Sequence, residues 1–299
     1  MLSRGEEPAV VTKYIRRLRG GSQPILAKAG DGSLYVVKFR NNVQGPNLLF
    51  NECMGTELFR LAGLSVPSWR VLIVTDEFAE RNPATWIETP YGLAPPESGQ
   101  CFGSRFLGGD DARLFEILPG NSFRRVRNRI DFWLAWLLDV CAGNADNRQV
   151  IFRQDSEGGL EAVFVDHGHM FSSPRGNLKP HFTSSRYYLD PRIYPNVSSE
   201  VVEGLRKRVL GLDLDRLWAQ VLSLPDEWIT QSALNNFTNC LETLSNTRSI
   251  ERVIDVITRS QFPTCVFGRD DDFTRRREPG GSLLRPGVQA ARVEWSICA

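Results

Sequence analysis

The sequence predicts an α+β protein with two lobes, a small β-rich N-terminal lobe followed by a larger helical lobe. Short apolar runs separated by glycine- and proline-containing turns fill the first 107 residues, as in a small sheet. From residue 110 onward, apolar residues recur mainly at helical spacing. One pair of strand-like runs, residues 149–152 and 160–165, interrupts the helical part. The order of these segments is what predicts the two-lobed arrangement.

The N-terminal lobe, residues 12–107, follows a predicted extension at residues 1–11. Its predicted strands are residues 15–18, 25–29, 34–39, 69–75 and 100–106. Residues 47–63 are predicted to form a helix, because their leucines and Cys53 fit one broad apolar face. Gly63 ends this helix at a position that favours glycine. Residues 79–100 are rich in proline and glycine and are predicted to be a loop.

The C-terminal lobe is predicted to cover residues 108–265. Its predicted helices are residues 111–118, 124–141, 199–210, 213–223, 226–245 and 248–260, with Pro225 in the first turn of the fifth. Residues 172–198 are predicted to be irregular. Residues 266–299 carry runs of aspartate and arginine, and we predict a disordered tail there.

Composition excludes several classes of protein. The 299 residues are 41% hydrophobic and 24% charged, which is ordinary for a globular protein. A net charge of +1 gives no general attraction to nucleic acid or anionic lipid, and no nucleic-acid motif is evident. The longest apolar run, residues 132–142, contains Asp139 and is too short to span a bilayer. Six cysteines without a Cys-x-x-Cys pair predict a reducing, cytoplasmic location and no zinc site.

The two predicted strands at 149–165 form a hairpin that brings two aspartates together. Asp146 precedes the first strand and Asp166 follows the second, so both lie at the same end. Two carboxylates in that arrangement can hold Mg²⁺ and orient a phosphoryl transfer. The alternative is a pair of turn aspartates with no chemical role.

A glycine-rich turn lies between the first two predicted strands. In Gly20-Gly21-Ser22 the backbone N–H groups can approach phosphate oxygens, because glycine has no Cβ to block them. A plain hairpin turn is the alternative interpretation of these three residues.

Lys38 stands on the third predicted strand among apolar neighbours. A lysine there, paired with a helical glutamate, can hold the α- and β-phosphates of a nucleotide. We prefer Glu52 to Glu57 as the partner, since Glu52 belongs to the helical turn nearest the strand. The alternative is an exposed strand lysine.

These parts occur in the order found in a two-lobed kinase, and the chain resembles the HipA-like kinases, a bacterial branch of the protein-kinase-like fold. The resemblance covers about residues 12–260. It rests on Arg19-Gly-Gly-Ser-Gln-Pro, Tyr35-Val-Val-Lys-Phe, Asn51-Glu52, Gly63-Leu-Ser-Val-Pro67, Asn144-Ala-Asp-Asn-Arg-Gln, Val165-Asp-His-Gly168 and Leu224-Pro-Asp-Glu-Trp228. It implies that ATP and Mg²⁺ bind between the lobes, and that phosphate is transferred to a Ser or Thr hydroxyl.

The resemblance assigns a role to each candidate. Lys38 would clamp ATP and Glu52 would position Lys38. Asp166 would hold Mg²⁺, with Gly168 permitting the backbone turn that aims its carboxylate, and Asp146 would orient the acceptor hydroxyl. For Arg148 two roles stay open, neutralising phosphate charge or anchoring the loop to the core.

The catalytic loop departs from the family pattern, which is Asp-Arg-His-x-x-Asn. Here it reads Asp146-Asn-Arg-Gln149, and position 151 is isoleucine. Either Gln149 occupies the place of the metal-binding asparagine in a loop two residues shorter, or Asn144 takes the place of the aspartate and the base is lost. The leading hypothesis is therefore an ATP- and Mg²⁺-dependent Ser/Thr phosphotransferase. The alternatives are an inactive nucleotide-binding regulatory module and a small-molecule or lipid-headgroup kinase.

Overall fold

The N-terminal part of the molecule is a five-stranded barrel, and helices dominate the rest. The computed structural model describes residues 7–109, 113–176 and 191–259. They all belong to one unit, Met1–Gln261; the predicted tail at 266–299 lies outside the described residues. The strands are β1 (Ala9–Arg17), β2 (Ile25–Ala29), β3 (Leu34–Lys38), β4 (Trp69–Val74), β5 (Ile87–Thr89), β6 (Gly92–Ala94), β7 (Gly99–Arg105), β8 (Arg113–Phe115), β9 (Gln149–Gln154) and β10 (Leu160–Val165). The helices are α1 (Leu48–Leu61), α2 (Asp76–Arg81), α3 (Asp131–Cys141), α4 (Ser199–Leu210), α5 (Leu214–Val221), α6 (Gln231–Ser245) and α7 (Thr247–Arg259).

The barrel has the strand order β1-β2-β3-β7-β4 and is closed by β1 and β4. These two strands pair in parallel through Ala9 with Leu72 and Val10 with Ile73. Its interior is filled by buried aliphatic and aromatic side chains, among them Ile25, Val37 and Phe39, each fully buried. Closure and a filled interior make the barrel a firm support for Lys38 at the end of β3.

The pattern-based prediction is confirmed for most of the barrel and for α1. Strand β2 has the predicted bounds, β3 and β4 each end one residue earlier than predicted, and β7 both begins and ends one residue earlier. Helix α1 ends as predicted: Gly63 has a φ of +76°, and its N–H donates to the carbonyl of Arg60 while that of Leu64 donates to Phe59. This pair of bonds is the Schellman arrangement that favours glycine after a helix.

Two predictions in the N-terminal part are wrong. Strand β1 begins at Ala9 rather than Ile15, because the first residues pair with β4 as well as β2. Residues 79–100 are not a continuous loop. They contain the last residues of α2, a helix whose N-terminus is capped by the hydroxyl of Thr75, and the short hairpin β5–β6. Several of the glycines and prolines lie at the first residue of a short element: Gly92, with a φ of +117°, begins β6, and Pro83 begins a 3-10 turn.

The predicted helix at 111–118 is also wrong for residues 113–118, the part that the structure describes. Residues 113–115 form β8, which extends the β9–β10 hairpin into a three-stranded sheet with the order β10-β9-β8. The apolar Leu114 and Phe115 fit a strand as well as a helix, and pairing with β9 decides between them.

Helices α3 and α6 begin later than predicted. Before α3, the Asn128 side chain bonds both backbone groups of Ala162 in β10, at 2.8 and 2.9 Å, and holds the chain out of the helix. Pro225 precedes a short 3-10 turn at Asp226–Trp228, and α6 starts after Thr230, whose hydroxyl accepts from the N–H of Ala233.

Helix α3 is buried almost all round. Its aromatic residues pack against the hairpin: the Phe132 ring lies 5.3 Å from Phe164 and 6.4 Å from Phe152, measured between centroids. A helix with this much apolar surface belongs in the interior of a globular unit. Of the helices in the described ranges, none has the length and hydrophobicity needed to cross a membrane.

Candidate active site

A lysine and two carboxylates form a buried cluster where β3, α1 and the end of β10 meet. The ammonium nitrogen of Lys38 lies 2.9 Å from Oδ1 of Asp166 and forms a second ion pair with Glu52. The side chains of Lys38 and Glu52 are 7% and 3% exposed, whereas that of Asp166 is 27% exposed. Asp166 is therefore the member of the cluster that a ligand can reach.

The close packing changes the acidity of all three groups. Burial would lower the pKa of Lys38, but the carboxylates of Asp166 and Glu52 outweigh it and raise the pKa above its usual value. Burial raises the pKa of Glu52 to about 7, against the opposing effect of Lys38. Burial would also raise the pKa of Asp166, yet Lys38 holds it below the usual range. The lysine thus stays charged and keeps the accessible carboxylate ionised.

Glu52, rather than Glu57, is the helical partner of the lysine. Glu57 faces another way: its Oε1 accepts from Nε1 of Trp69 at 2.9 Å, and its other oxygen pairs with Arg60. Lys38 therefore pairs with Glu52 and not with Glu57. The role of Glu52 in positioning the lysine for a nucleotide stays a prediction.

The glycine turn joins β1 to β2 and passes close to the connection between β3 and α1. Gly20 has a φ of +138°, which favours glycine, and a Cβ on Gly21 would lie 2.8 Å from Nε2 of Gln44. Ser22 is buried, and its carbonyl accepts a hydrogen bond from the side chain of Asn42. The backbone of this turn is therefore in close contact with the side chains of Asn42 and Gln44.

The β5–β6 hairpin contacts the residue that follows the glycine turn. Gln23, at a φ of +47°, bonds both the N–H and the carbonyl of Glu88, each at 2.8 Å. Arg17 donates to the carbonyls of Ala84 and Trp86 just before the hairpin. The segment predicted to be a loop thus has a structural purpose, since it fixes the glycine turn.

Asp146 and Asp166 lie at the same end of the β9–β10 hairpin, as predicted. Gln149 pairs with Val165 in the register of the two strands, and the N–H of Ala145 donates to the carbonyl of His169 at 2.9 Å. Asp146 is half-buried, and its Oδ1 accepts from the N–H of Asn147 at 2.7 Å.

Asn144 supports the loop from inside. It is 2% exposed; its amide donates to Asp139 at 3.0 Å, and its oxygen accepts from the N–H of Asp146 at 3.1 Å. These contacts argue against the alternative in which Asn144 replaces the aspartate, because its side chain is already used in the interior.

Arg148 is buried in an ion pair with Asp139 of α3. Its guanidinium bonds both carboxylate oxygens, one through Nε at 2.9 Å, and also donates to the carbonyls of Val165 and Asp166. It lies over the ring of Phe59, 4.6 Å from the centroid. Of the two roles considered for Arg148, its contacts support anchoring of the loop, since the side chain is 1% exposed and has no access to a phosphate.

The turn after β10 depends on Asp166 itself. Asp166 has a φ of +58°, a conformation that aspartate tolerates better than most residues. We predicted that Gly168 permits this turn through its backbone, but Gly168 is needed for space. A Cβ there would lie 2.4 Å from Leu48 and 2.8 Å from Oε1 of Glu52, so glycine lets α1 approach the segment.

His167, between Asp166 and Gly168, points into the interior. Its ring is buried and lies 4.7 Å from that of Phe59, and burial, followed by the charge of Arg148, lowers the pKa of the imidazole well below its usual value. Gly55 of α1 packs directly on it, because a Cβ at Gly55 would come within 2.5 Å of the His167 Cβ.

We expect Gly55→Ala to destabilise the protein by about 1–3 kcal/mol, since neither backbone has room for a methyl group. Gly204→Ala is the matched control: Gly204 lies in α4 with no atom within 4 Å of the added Cβ. Alanine there should stabilise by about 0.5–1 kcal/mol through helix propensity. Urea unfolding of both variants measures the difference, and an equal effect of the two would contradict the packing argument.

Gln149 is exposed at the start of β9, one residue beyond the buried Arg148. Within residues 7–109, 113–176 and 191–259, no three His, Cys, Asp or Glu side chains form a group able to hold a metal. A carboxylate that solvent can reach could contribute to a magnesium site together with waters and substrate phosphates, and Asp166 has such a carboxylate.

Three solved structures are similar to the chain in fold. The Golgi casein kinase has a TM-score of 0.52 at 11% identity, and the match covers 86% of this chain and 74% of that one. The same kinase with Mn/ADP bound has a TM-score of 0.52 at 11% identity, with coverages of 84% and 74%. The Helicobacter pylori proinflammatory kinase CtkA has a TM-score of 0.52 at 12% identity, with coverages of 82% and 96%.

The chain has a protein-kinase-like fold. No protein-family model and no curated protein matches it. In this kinase-like fold, the barrel carries the glycine turn and the lysine, α1 carries the glutamate, and the hairpin carries the two aspartates. The predicted α+β class with a β-rich and a helical lobe is confirmed.

Sequence reasoning missed the polar residues that hold this site together. Asp139 was noted only as a charge in an apolar run, although a carboxylate inside a buried helix signals a buried partner. Asn42 and Gln44 were not singled out. Their polar character among short turns carries no periodic signal, and only the folded chain brings them to the glycine turn.

Proposed function

We propose that the protein is an ATP- and Mg²⁺-dependent phosphotransferase of the HipA-like type, acting on a Ser or Thr hydroxyl. The observation that carries the proposal is the buried ion-pair cluster of Lys38, Glu52 and Asp166, together with a glycine turn that Gln44 links to the segment after Asp166. A lysine fixed by a helical glutamate, and an aspartate beside it, are the parts that position a nucleotide and its metal in kinases. A similar structure with Mn/ADP bound supports nucleotide use.

In this proposal the residues divide between nucleotide, metal and acceptor. The backbone of Gly20, Gly21 and Ser22 binds phosphate oxygens, and Lys38 binds the α- and β-phosphates. Asp166 holds Mg²⁺, and Gln149 approaches it from the other strand of the hairpin. Mg²⁺ supplies neutralisation of the phosphate charge. The barrel side, residues 12–107, is the nucleotide clamp, and residues 108–265 supply the metal and acceptor groups.

Asp146 orients the acceptor. The hydroxyl oxygen forms a bond to the γ-phosphorus as the bond from that phosphorus to the β–γ bridging oxygen breaks, which releases ADP. The hydroxyl proton passes to the Asp146 carboxylate, which is half-buried and reachable. Asn144 and Asn147 hold the loop in place around it.

A second candidate is a nucleotide-binding regulatory module without transfer activity. The position of Gln149 favours it, because an exposed glutamine stands where the family has a metal-binding asparagine. This candidate predicts binding of Mg²⁺–ATP with no phosphate transfer.

Thermal unfolding with and without Mg²⁺–ATP, next to transfer from γ-labelled ATP on the same sample, tests both candidates. At a hundred times Kd the nucleotide should add about 2.7 kcal/mol of stability. A shift with transfer to a Ser- or Thr-containing protein supports the kinase. Transfer only to small hydroxyl compounds or lipid headgroups would favour that substrate class instead. A shift without transfer supports the regulatory module, and the absence of a shift overturns the nucleotide site.

A further inference from the structure

The connection between β3 and α1, residues 42–47, contacts the glycine turn on one side. Asn42 donates its side-chain amide to the carbonyl of Ser22, and its own Oδ1 accepts from the N–H of Gln44 at 3.0 Å. The Gln44 amide nitrogen then lies against Gly21, where a Cβ would come within 2.8 Å of it. The connection therefore places the Gln44 side chain directly at the glycine turn.

The same connection contacts the segment that follows β10. Nε2 of Gln44 lies 3.0 Å from Nε2 of His169. Further along, Arg175 donates to the carbonyl of Gln44 at 3.2 Å, and the N–H of Asn47 donates to the carbonyl of Pro174 at 3.0 Å. Gln44 thus bridges the glycine turn and the segment that begins with Asp166.

The chemistry at this bridge suits an anion. Gln44 offers an amide with two N–H groups, and the imidazole of His169 offers one. Both side chains are half-buried, so they are fixed by their surroundings and still reachable from solvent. In the proposed function, phosphates lie between the glycine turn and Asp166, which is where these two side chains meet.

We propose that Gln44 and His169 belong to the phosphate site and donate hydrogen bonds to the phosphate groups of a nucleoside triphosphate. On binding, the two side chains exchange their mutual contact for contacts to phosphate oxygens. This inference rests on the proposed function and adds two binding residues to it.

Isothermal titration of the full chain with Mg²⁺–ATP and with adenosine tests the assignment. We expect Gln44→Ala and His169→Ala each to weaken Mg²⁺–ATP binding about tenfold, the usual effect of losing a hydrogen bond to a charged group. Adenosine has no phosphate, so its affinity should not change. Gln154→Ala is the control, since Gln154 is a half-buried glutamine at the far end of the β9–β10 hairpin.

Gln44→Glu tests whether Gln44 binds phosphate or only links the glycine turn to the segment after β10. Glutamate keeps the length of the side chain and can still bond to His169, but it brings a negative charge and no donor. We expect it to weaken Mg²⁺–ATP binding more than alanine does. Affinity equal to that of the unmodified protein would show that Gln44 only tethers the two segments, and would overturn the proposal.

The remaining outcomes separate this inference from the proposed function. An unmodified protein that does not bind Mg²⁺–ATP overturns both. If it binds but the variants bind equally well, the inference fails and the proposed function stands. Tighter binding by Gln44→Ala would mean that the Gln44 side chain obstructs the phosphates and gives them no hydrogen bond. Equal losses of affinity for Mg²⁺–ATP and adenosine would mean general damage to the fold. Either result overturns the assignment.

Discussion

Asp166→Asn should lower the rate of phosphate transfer on the order of 10³-fold or more. It should also remove the part of the protein's thermal stabilisation by ATP that depends on Mg²⁺. Asparagine has the same size and also tolerates a positive φ, so it fits the +58° conformation of this residue. What it lacks is the negative charge, which pairs with Lys38 and which the proposed Mg²⁺ site requires. The expected loss is therefore chemical and not a failure to fold.

The measurement is transfer from γ-labelled ATP, with thermal unfolding in ATP alone and in ATP with Mg²⁺. Glu157→Gln serves as the control, because this carboxylate is 82% exposed at the other end of the same hairpin. It should leave both readouts unchanged. Transfer by Asp166→Asn at the rate of the unmodified protein would remove Asp166 from the metal site.

Arg148→Met is expected to lower the free energy of unfolding by about 3–5 kcal/mol. The substitution leaves Asp139 as a buried charge without its guanidinium, at a position where burial already raises the pKa of the carboxyl. It also removes the donor to the carbonyls of Val165 and Asp166. The loss should therefore be larger than that of an exposed ion pair.

The double variant Asp139→Leu/Arg148→Met removes both charges and should recover much of that stability, because an apolar pair avoids the cost of burying ions. Arg127→Met is the matched control: Arg127 also pairs with two carboxylates but is 59% exposed, so about 0.5 kcal/mol is expected. Urea unfolding measures all three. A double variant no more stable than Arg148→Met would contradict a buried-pair origin.

The sequence predicts the parts of this fold that local patterns govern. The strands β2, β3 and β4 alternate with clear turns, and α1 has both an apolar face and a glycine at its end, so their positions follow from nearby residues. The hairpin of β9 and β10 is equally local. Once those elements are in place, the meeting of Lys38 with Glu52 is a consequence of their order.

The wrong predictions concern segments whose structure is determined by contacts between residues that are distant in sequence. Residues 113–115 become a strand because β9 offers an edge, and Asn128 delays α3 because it bonds to Ala162, 34 residues away. Gly168 was assigned a backbone role, yet its lack of a Cβ makes room for Leu48 and Glu52 of a helix more than a hundred residues earlier. No local pattern carries that information.

The parallel pairing of β1 with β4 also bears on how this protein behaves at high concentration. An open sheet leaves a row of unpaired N–H and C=O groups that can recruit a strand from another molecule. Here Ala9 and Val10 pair with the edge of β4, so the closed barrel does not offer that edge to a strand from another molecule. A truncation that removes these residues would keep every group of the candidate active site, yet it would expose β4 to intermolecular pairing and favour aggregation. We therefore expect the first residues of β1 to limit aggregation as well as to close the barrel.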